Sequence, residues 1–515
     1  MTPVILWADD EIELLKPHIM FLKAKGYEMV TANSGTDALA IMGERHIDVV
    51  ILDENMPGLS GLDVLNRIKQ TAPHTPVIMI TKNEEEDIMD QAIGGKIADY
   101  LIKPVNPNQI LIAIKKVLDS GRLVAARTST GYREEFMNLT RLINTAATLT
   151  DWQELYRRLA YWHMELASAP DMAPLLDNQL TEADAEFARF VKASYESWID
   201  ASPEDAPLMS HNFLRRKVMP LVNDGKRPWF IVIDNLRFDQ WLALKPLLAQ
   251  NYTFADEQLC CSILPTATQY ARNSIFAGLL PGEIAARYPQ LWIDEDAPES
   301  KNANEPELIK AFFERLRTPR KFSYTKVNDS DTCRRLADRL ADYSDNDLNV
   351  VVINFIDMLS HARTENAALR ELASTDAAYR SITASWFTHS PAMDLFSRIA
   401  ATGCPIVLTS DHGTIRVETP QRVIADRLTT SGLRYKVGKN IDYPQRKVME
   451  IKKPKQFGLP TPNLSSVYIF ATGRDFFVYP NDYNRFAQHY TGTLQHGGVS
   501  LEEMFVPAVI LLPRK

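Results

Sequence analysis

Short apolar runs separated by helical patterns fill the first part of the chain. The runs lie at residues 4–7, 48–52, 76–80 and 99–102, and each is short enough to be a strand buried on both faces. Stretches with helical periodicity lie between them. This alternation predicts βα units around a five-stranded, parallel, doubly wound sheet. We assign this domain to residues 1–118.

The strand signal disappears between residues 119 and 225. Apolar residues recur there at spacings of three and four over 134–148, 151–166 and 181–199, which is typical of amphipathic helices. Thr150-Asp151 and Thr181 resemble helix N-caps, with an acidic residue three positions after Asp151 and after Thr181. We predict an all-α bridge that joins two α/β domains and carries no chemical site.

The strand pattern returns near Arg227, and it predicts a second α/β domain over residues 226–515. Core strands are predicted at 229–233, 350–353, 406–408 and 506–512. The domain is large for one sheet, so the stretches around 283–345 and 416–495 are predicted to be insertions.

Composition narrows the class of protein. The formal net charge of −8 argues against a protein that coats nucleic acid through bulk charge. The four cysteines lack metal-ligand spacing, and so few cysteines favour a reducing compartment. No apolar run is long enough to span a bilayer, so we expect a cytoplasmic protein without membrane insertion.

Polar side chains cluster where the predicted strands of the first domain end. Ligands bind at this edge of a doubly wound sheet, and clustered carboxylates favour Mg²⁺. A nearby lysine and hydroxyl can contact a phosphoryl group held on one carboxylate. The residues concerned are Asp9, Asp10, Asp53, Asn55, Thr81 and Lys103.

This segment resembles the response-regulator receiver family, which has a flavodoxin-like fold. The resemblance implies that Asp53 accepts the phosphoryl group and that Mg²⁺ is held by Asp10, Asp9, Asp53 and the Asn55 carbonyl. It also implies a sensor histidine kinase as the partner. The switch residues would be Thr81, Lys103 and Tyr100. A receiver that is never phosphorylated is the alternative.

The second α/β domain carries a larger set of metal-ligand types. Imidazole and carboxylate together suit Zn²⁺, with Mn²⁺ or Fe²⁺ as alternatives. Two neighbouring ions can clamp an in-line displacement at phosphorus, and seven ligands divide naturally into two sites. The candidate ligands are Asp234, Thr268, Asp357, His361, Asp411, His412 and His496.

The motifs Asp-x-x-x-His, Asp-His-Gly and a late His resemble the alkaline phosphatase superfamily, and Asp-Asn-Leu-Arg-Phe-Asp at 234–239 resembles its PglZ branch. The resemblance implies that Thr268 is the nucleophile, through a phosphothreonine intermediate, and that Arg272 is a phosphate ligand. Thr266 is a second hydroxyl two residues away. One ion would be held by Asp234, Thr268, Asp411 and His412, and the other by Asp357, His361 and His496.

Residues 416–455 hold an excess of basic over acidic side chains, densest at 452–455, with Tyr435, Tyr443 and Phe457 interleaved. Beside a metal site this stretch predicts a groove for an anionic, base-bearing substrate. A solvated basic face and a protein-docking surface are the alternatives.

The order of receiver, helical bridge and PglZ domain resembles the PorX-type response regulators associated with type IX secretion. The resemblance implies a phosphodiesterase acting on anionic phosphodiesters such as oligonucleotides, contact with a sigma factor or secretion component, and a phosphorylation-dependent homodimer. Two other functions remain open. One is a phosphorylation-controlled binding protein with structural metals, and the other is a phosphomonoesterase.

Overall fold

The structure, a computed structural model, describes residues 2–72, 75–81, 97–294, 297, 299–425, 429–430, 432–462 and 465–514. It divides into two units, Met1–Tyr132 and Arg133–Lys515, and each is described by itself. The helix Pro107–Thr145 passes residue 118 without a break. The boundaries expected after residues 118 and 225 therefore stay predictions.

The first unit contains the predicted five-stranded parallel sheet. Its strand order is β2-β1-β3-β4-β5, and every neighbouring pair is parallel. The strands are β1 (Val4–Ala8), β2 (Glu28–Ala32), β3 (Val49–Asp53), β4 (Val77–Thr81) and β5 (Asp99–Ile102). The helices are α1 (Lys16–Ala24), α2 (Gly35–Glu44), α3 (Gly61–Thr71) and the part of α4 (Pro107–Thr145) that ends at Tyr132.

Apolar layers cover both faces of this sheet, which explains why its strands are continuous apolar runs. One layer packs α1 and the first turns of α4 on one face, and the other packs α2 and α3 on the opposite face. All five residues of β3 are buried. The parallel register brings the carboxyl ends of β1, β3, β4 and β5 to one edge.

Two further helices, α5 (Leu149–Glu165) and α6 (Ala173–Ile199), form the predicted helical bridge. The predicted cap at Thr150-Asp151 is wrong, because both residues lie inside α5. The N-cap is Thr148, whose hydroxyl accepts from the backbone N–H of Asp151 in a capping box. The predicted cap at Thr181 is wrong, because Thr181 lies inside α6 and its hydroxyl donates to the Asp177 carbonyl. That helix begins earlier, with a proline in its first turn.

The bridge helices pack directly on the second α/β domain. Phe187 of α6 has its ring centroid 5.1 Å from that of Phe505. Asp184 accepts a 2.9 Å hydrogen bond from the backbone of Leu501, and the Tyr195 hydroxyl accepts one of 2.8 Å from Leu264. The helices therefore complete the backbone hydrogen bonding of the neighbouring domain.

The second α/β domain is built on a six-stranded mixed sheet of order β7-β18-β10-β6-β9-β8. Strands β10, β6, β9 and β8 are parallel, and β18 runs antiparallel to β10 and β7. The strands are β6 (Trp229–Ile233), β7 (Tyr252–Cys261), β8 (Phe322–Val327), β9 (Leu348–Ile353), β10 (Ile406–Thr409) and β18 (Phe505–Pro513). The predicted insertion at 283–345 is thus wrong in part, because it supplies the edge strand β8.

The second predicted insertion, 416–495, forms small sheets of its own. Their orders are β13-β15-β14, β12-β16 and β11-β17. Their strands are β11 (Ile415–Arg416), β12 (Thr419–Arg422), β13 (Tyr435–Gly438), β14 (Val448–Ile451), β15 (Val467–Ala471), β16 (Asp475–Val478) and β17 (Leu494–Gln495).

The second unit contains twelve further described α-helices. They are α7 (Met219–Asn223), α8 (Phe238–Leu248), α9 (Thr268–Ala277), α10 (Pro281–Arg287), α11 (Glu305–Leu316), α12 (Ser330–Asp338), α13 (Phe355–Glu365), α14 (Ala367–Leu372), α15 (Asp376–His389), α16 (Pro391–Ala401), α17 (Tyr483–Tyr490) and α18 (Leu501–Met504). Within the residues that the structure describes, no helix has the length and apolar character needed to cross a membrane.

Candidate functional site

Three carboxylates and a lysine meet at the carboxyl edge of the first sheet. Asp9, Asp10 and Asp53 each offer an oxygen, and these oxygens all lie within 4.8 Å of one another. The Lys103 ammonium lies 2.9 Å from Asp9 Oδ2 and 2.8 Å from Asp53 Oδ1. Asp9 and Asp53 are buried, whereas Asp10 is exposed. The strand ends therefore bring the sequence-predicted acids together with Lys103.

Electrostatics make this pocket suitable for a divalent cation. Burial is the largest influence on Asp53 and raises its pKa, the hydrogen bond from Lys103 lowers it, and Asp9 raises it again. The net direction is upward, so one lysine does not fully compensate the clustered acids. Hard carboxylate oxygens at this spacing fit Mg²⁺.

The other predicted receiver residues surround the pocket. Thr81 ends β4 and donates its hydroxyl hydrogen to the Glu54 carboxylate, a contact between two buried side chains. Asn55 and Tyr100 are exposed. The sequence patterns predicted no role for Glu54, which directly follows Asp53.

Two groups of ligands lie at the carboxyl edge of the second sheet. Asp234, Asp411 and His412 form one group, all of them buried. Asp357, His361 and His496 form the other. In each group the ligand atoms lie within 4.8 Å of one another. The family resemblance implies the same grouping, and metal binding by these residues stays a prediction.

Thr268, the candidate nucleophile, lies beside the first group. Thr268 begins α9, and its hydroxyl lies 3.2 Å from His412 Nε2. His412 Nδ1 lies 3.2 Å from the Gly413 carbonyl and donates to it, which leaves Nε2 with a lone pair. Burial lowers the pKa of His412, so the imidazole is neutral, the form that binds metals.

The second group is anchored by His496. Its Nδ1 donates to the Thr266 carbonyl at 3.1 Å, and Nε2 is left as the ligand atom. Burial and the neighbouring His412, whose ring stacks at 4.2 Å, lower the pKa of His496 to about 3. His361 is exposed and lies 3.5 Å from Asp357 Oδ1 through Nε2. This group is therefore open on the His361 side.

One residue that sequence reasoning missed bridges the two groups. Asn235 adopts a positive φ of 65° directly after Asp234. Its backbone N–H donates to Asp411 Oδ1 at 3.2 Å, and its side-chain amide donates to Asp357 Oδ1 at 3.2 Å. Asparagine tolerates this conformation better than most residues. The sequence indicated this residue only as an asparagine between β6 and α8, inside the Asp-Asn-Leu-Arg-Phe-Asp motif at 234–239.

The donor set fits two divalent cations. Asp234 Oδ1 and Asp411 Oδ2 are buried and have no hydrogen-bond partner among the described residues. Burial raises the pKa of Asp234 to about 8 and also raises that of Asp411. Buried carboxylate oxygens without partners are costly unless a cation neutralises them. Carboxylates with neutral imidazoles are a Zn²⁺-type ligand set.

The two candidate hydroxyls have different surroundings. Thr266 is buried, donates to the Gly498 carbonyl at 2.9 Å and accepts from Gly497 N at 3.1 Å. Thr266 therefore fixes the loop that carries His496. The hydroxyl of Thr268 faces the ligand group instead.

Arg272 lies inside the protein. Its side chain is 1% exposed, donates through Nε to Glu305 Oε1 at 2.6 Å and pairs through Nη1 with Asp234. Glu305 also accepts from the Tyr324 hydroxyl. The predicted role of Arg272 as a phosphate ligand stays a prediction, and the contacts show a counter-charge for buried acids.

A buried ion pair between Arg434 and Glu503 holds the two loops that carry His412 and His496. Arg434 pairs with Glu503 through Nη2–Oε2 at 2.5 Å and Nε–Oε1 at 3.1 Å. Glu503 also accepts from Gly498 N at 2.9 Å, and its backbone carbonyl accepts from Gly413 N at 3.0 Å. A Cβ on Gly413 would lie 2.0 Å from a backbone oxygen, so the close approach requires glycine.

The basic stretch is divided between the surface and the interior: its densest part, Lys452, Lys453 and Lys455, is exposed, whereas two other basic side chains are buried. Arg434 and Lys436 are buried, and the Lys436 ammonium lies 4.1 Å from the centroid of the Tyr479 ring. Phe457 stacks on Tyr195 at 6.2 Å. These side chains are part of the interior, so the predicted substrate groove there stays a prediction.

Family models match three consecutive segments of the chain. They describe a response regulator receiver domain over residues 5–115, a PorX response regulator linker domain over 122–199, and a BREX system PglZ alkaline phosphatase-like domain over 213–511. The last match covers more than half of the chain.

Curated relatives and solved structures match the first segment. The chain is 36% identical over 121 residues to the alginate biosynthesis transcriptional regulatory protein AlgB of Pseudomonas syringae pv. tomato, covering 24% of this chain and 27% of that protein. It is 32% identical over 114 residues to the transcriptional regulatory protein ResD of Bacillus subtilis, covering 22% and 47%. The chain thus spans about a quarter to a half of these relatives.

Among solved structures, a receiver domain protein from Clostridium thermocellum is 38% identical, with a TM-score of 0.23, and the match covers 24% of this chain and 98% of that one. The chemotaxis protein CheY4 of Vibrio cholerae is 28% identical, with a TM-score of 0.22, and the match covers 23% and 100%. With its three matched segments in this order, the chain belongs to the PorX-type response regulators, which join a receiver domain to a PglZ alkaline phosphatase-like domain.

Proposed function

We propose that the PglZ domain is a two-zinc phosphodiesterase with Thr268 as nucleophile, and that phosphorylation of Asp53 controls it. The observation that supports this most is the convergence of the Thr268 hydroxyl with two ligand groups at one sheet edge. A set of purely structural metal sites has no need of a hydroxyl at that point.

The chain's own residues account for the proposed chemistry. Thr268 Oγ loses its proton and attacks phosphorus, an Oγ–P bond forms, and the bond from phosphorus to the leaving oxygen breaks as that oxygen takes up a proton and departs as an alcohol. Water then cleaves the phosphothreonine and restores the hydroxyl. The N-terminal backbone N–H groups of α9 face the phosphoryl oxygens and stabilise their charge. Two bound divalent cations would supply Lewis-acid neutralisation of that charge.

The protein around Thr268 also prepares the reaction. The Thr268 hydroxyl lies 3.2 Å from His412 Nε2, so the proposed nucleophile is adjacent to a candidate ligand atom of the first cation. Asn235 holds Asp411 and Asp357 in fixed positions, so the two ligand groups need little reorganisation when the substrate binds.

Hydrolysis of bis(p-nitrophenyl) phosphate tests the assignment. Thr268→Val should lower the rate by about a thousandfold or more, because the nucleophile is lost. Its metal content should match that of wild type. Equal, negligible rates in both proteins at full metal occupancy would favour the binding-protein alternative. Faster cleavage of p-nitrophenyl phosphate than of the diester would favour a monoesterase.

We also propose a sensor histidine kinase as the phosphodonor and a phosphorylation-dependent homodimer as the active form. The pocket of Asp53, Asp10 and Lys103 supports the first proposal. Oligonucleotides as substrates, zinc as the native metal, the type IX secretion role and a sigma-factor partner rest on the family resemblance and stay predictions.

A further inference from the structure

Strand β8 carries a lysine on the face of the sheet that holds the nucleophile helix. Lys326 is in register with Val352 of β9, and Val352 is in register with Val232 of β6. Residues in register leave the same face of a parallel sheet. Val232 and Val352 belong to the core beneath α9 and α11. Lys326 therefore leaves the sheet on the side where α9, which starts at Thr268, is packed.

The same face leads to the metal-ligand groups. Asp234 lies two residues beyond Val232, so its side chain follows on this face at the carboxyl edge. Two strand spacings, about 10 Å, separate β8 from β6, and the flexible four-carbon stem of Lys326 reaches across part of that distance. Lys326 lies near the end of its strand, so its ammonium is brought toward the site.

The electrostatic surroundings of Lys326 agree with this placement. Burial lowers its pKa, while the Glu305 carboxylate raises it and Arg272 lowers it. The carboxylates of Asp234 and Asp411 act on it as well, each in the upward direction. The side chain therefore lies within the electrostatic field of the first ligand group.

Arg272, the arginine that contacts Asp234, is already paired with protein carboxylates. Arg272 is buried and satisfied by Glu305 and Asp234, so it has no surface to offer a substrate. Lys326 differs, because it is half-buried and no carboxylate of the described residues lies within 4.0 Å of its ammonium. A cation without an acidic partner beside a phosphoryl-transfer site can receive an anion.

We propose that Lys326 binds a non-bridging oxygen of the substrate's phosphoryl group in the PglZ site. The proposal rests on the proposed function and names the side chain that would complete its substrate site. In this proposal Lys326 binds the anion, whereas Arg272 holds Asp234 in position.

Binding of inorganic phosphate to metal-loaded full-length protein tests the proposal independently of turnover. Titration calorimetry should show phosphate affinity about tenfold to a hundredfold weaker in Lys326→Met than in wild type, with unchanged metal content. Lys326→Arg should recover part of the loss. Lys321→Met is the matched control, because Lys321 is exposed and directly precedes the same strand. It should bind phosphate as wild type does.

The kinetic readout separates this proposal from the proposed function. If wild type hydrolyses the diester, Lys326→Met should lower kcat/KM by a similar factor, with Lys321→Met unaffected. Wild-type phosphate affinity in Lys326→Met, or loss of metal from that variant, would overturn the role of Lys326. If wild type binds phosphate and hydrolyses nothing, the proposed function fails, and phosphate binding alone decides on Lys326. Absence of phosphate binding in metal-loaded wild type overturns the role of Lys326, while hydrolysis of the diester still decides on the proposed function.

Discussion

Removing Arg434 should destabilise the second unit and weaken its metal site at the same time. The guanidinium is fully buried, makes two contacts with the Glu503 carboxylate and donates to the Asp475 carbonyl. Arg434→Met deletes all of these and leaves Glu503 as a buried charge. Breaking such a pair from one side costs about 3–5 kcal/mol.

The effect on metal binding follows from the same contacts. Glu503 holds Gly498 N and, through its backbone carbonyl, Gly413 N, and these glycines are within two residues of His496 and His412. If only about 1.4 kcal/mol of the lost stability is needed to order the two loops, metal affinity falls about tenfold. Competition with a metal-sensitive chelating dye measures this change.

Chemical unfolding followed by circular dichroism measures the stability change. Arg422→Met is the matched control, because Arg422 is exposed on β12 and the substitution is the same. The double variant Arg434→Met/Glu503→Gln should be more stable than Arg434→Met, since the uncompensated charge is gone while an amide oxygen still accepts from Gly498. The reasoning is refuted if Arg434→Met unfolds and binds metal as Arg422→Met does.

Three further substitutions test other parts of the two sites. Asp53→Ala should abolish labelling by acetyl phosphate and leave the PglZ metals bound, and persistent labelling would mean that another residue is the acceptor. His496→Ala should lower metal content toward one ion per chain in elemental analysis, and retention of two ions would remove His496 from the ligand set. Glu54→Ala should speed labelling by acetyl phosphate, because the Thr81 hydroxyl is released from its carboxylate partner to contact the phosphoryl group. A labelling rate equal to that of wild type would show that this hydrogen bond has no influence.

The sequence was informative where residue type and strand position coincide. The predicted core strands were apolar runs, and the candidate ligands Asp234, Asp411 and His412 follow two such runs within three residues, so sheet topology brings them together. The three receiver carboxylates, Asp9, Asp10 and Asp53, were predicted in the same way, from their positions at the ends of apolar runs. The fold class is confirmed by the two sheets and by the matched families.

Features that depend on contacts distant in sequence were missed. Strand β8 alternates half-buried polar and apolar residues because it is an edge strand, and it therefore lacked the apolar run that marked the others. Thr181 had the type of a cap residue, but it lies inside a helix that starts at Ala173 and has a proline in its first turn. Glu305 acquires its importance from Arg272, which is 33 residues away in sequence and adjacent in space.

The contacts of helix α6 set a limit on how small a working enzyme can be made. A fragment that begins at residue 213, where the PglZ match begins, would remove the acceptors of the Leu501 and Leu264 backbone N–H groups. It would also remove Asp177, one of two ion-pair partners of Arg474, and leave Glu418 as the other. Each buried amide deprived of its acceptor costs about 1–3 kcal/mol, and both amides lie within five residues of a proposed active-site residue. Truncation for crystallography or screening should therefore retain the bridge from its first helix onward.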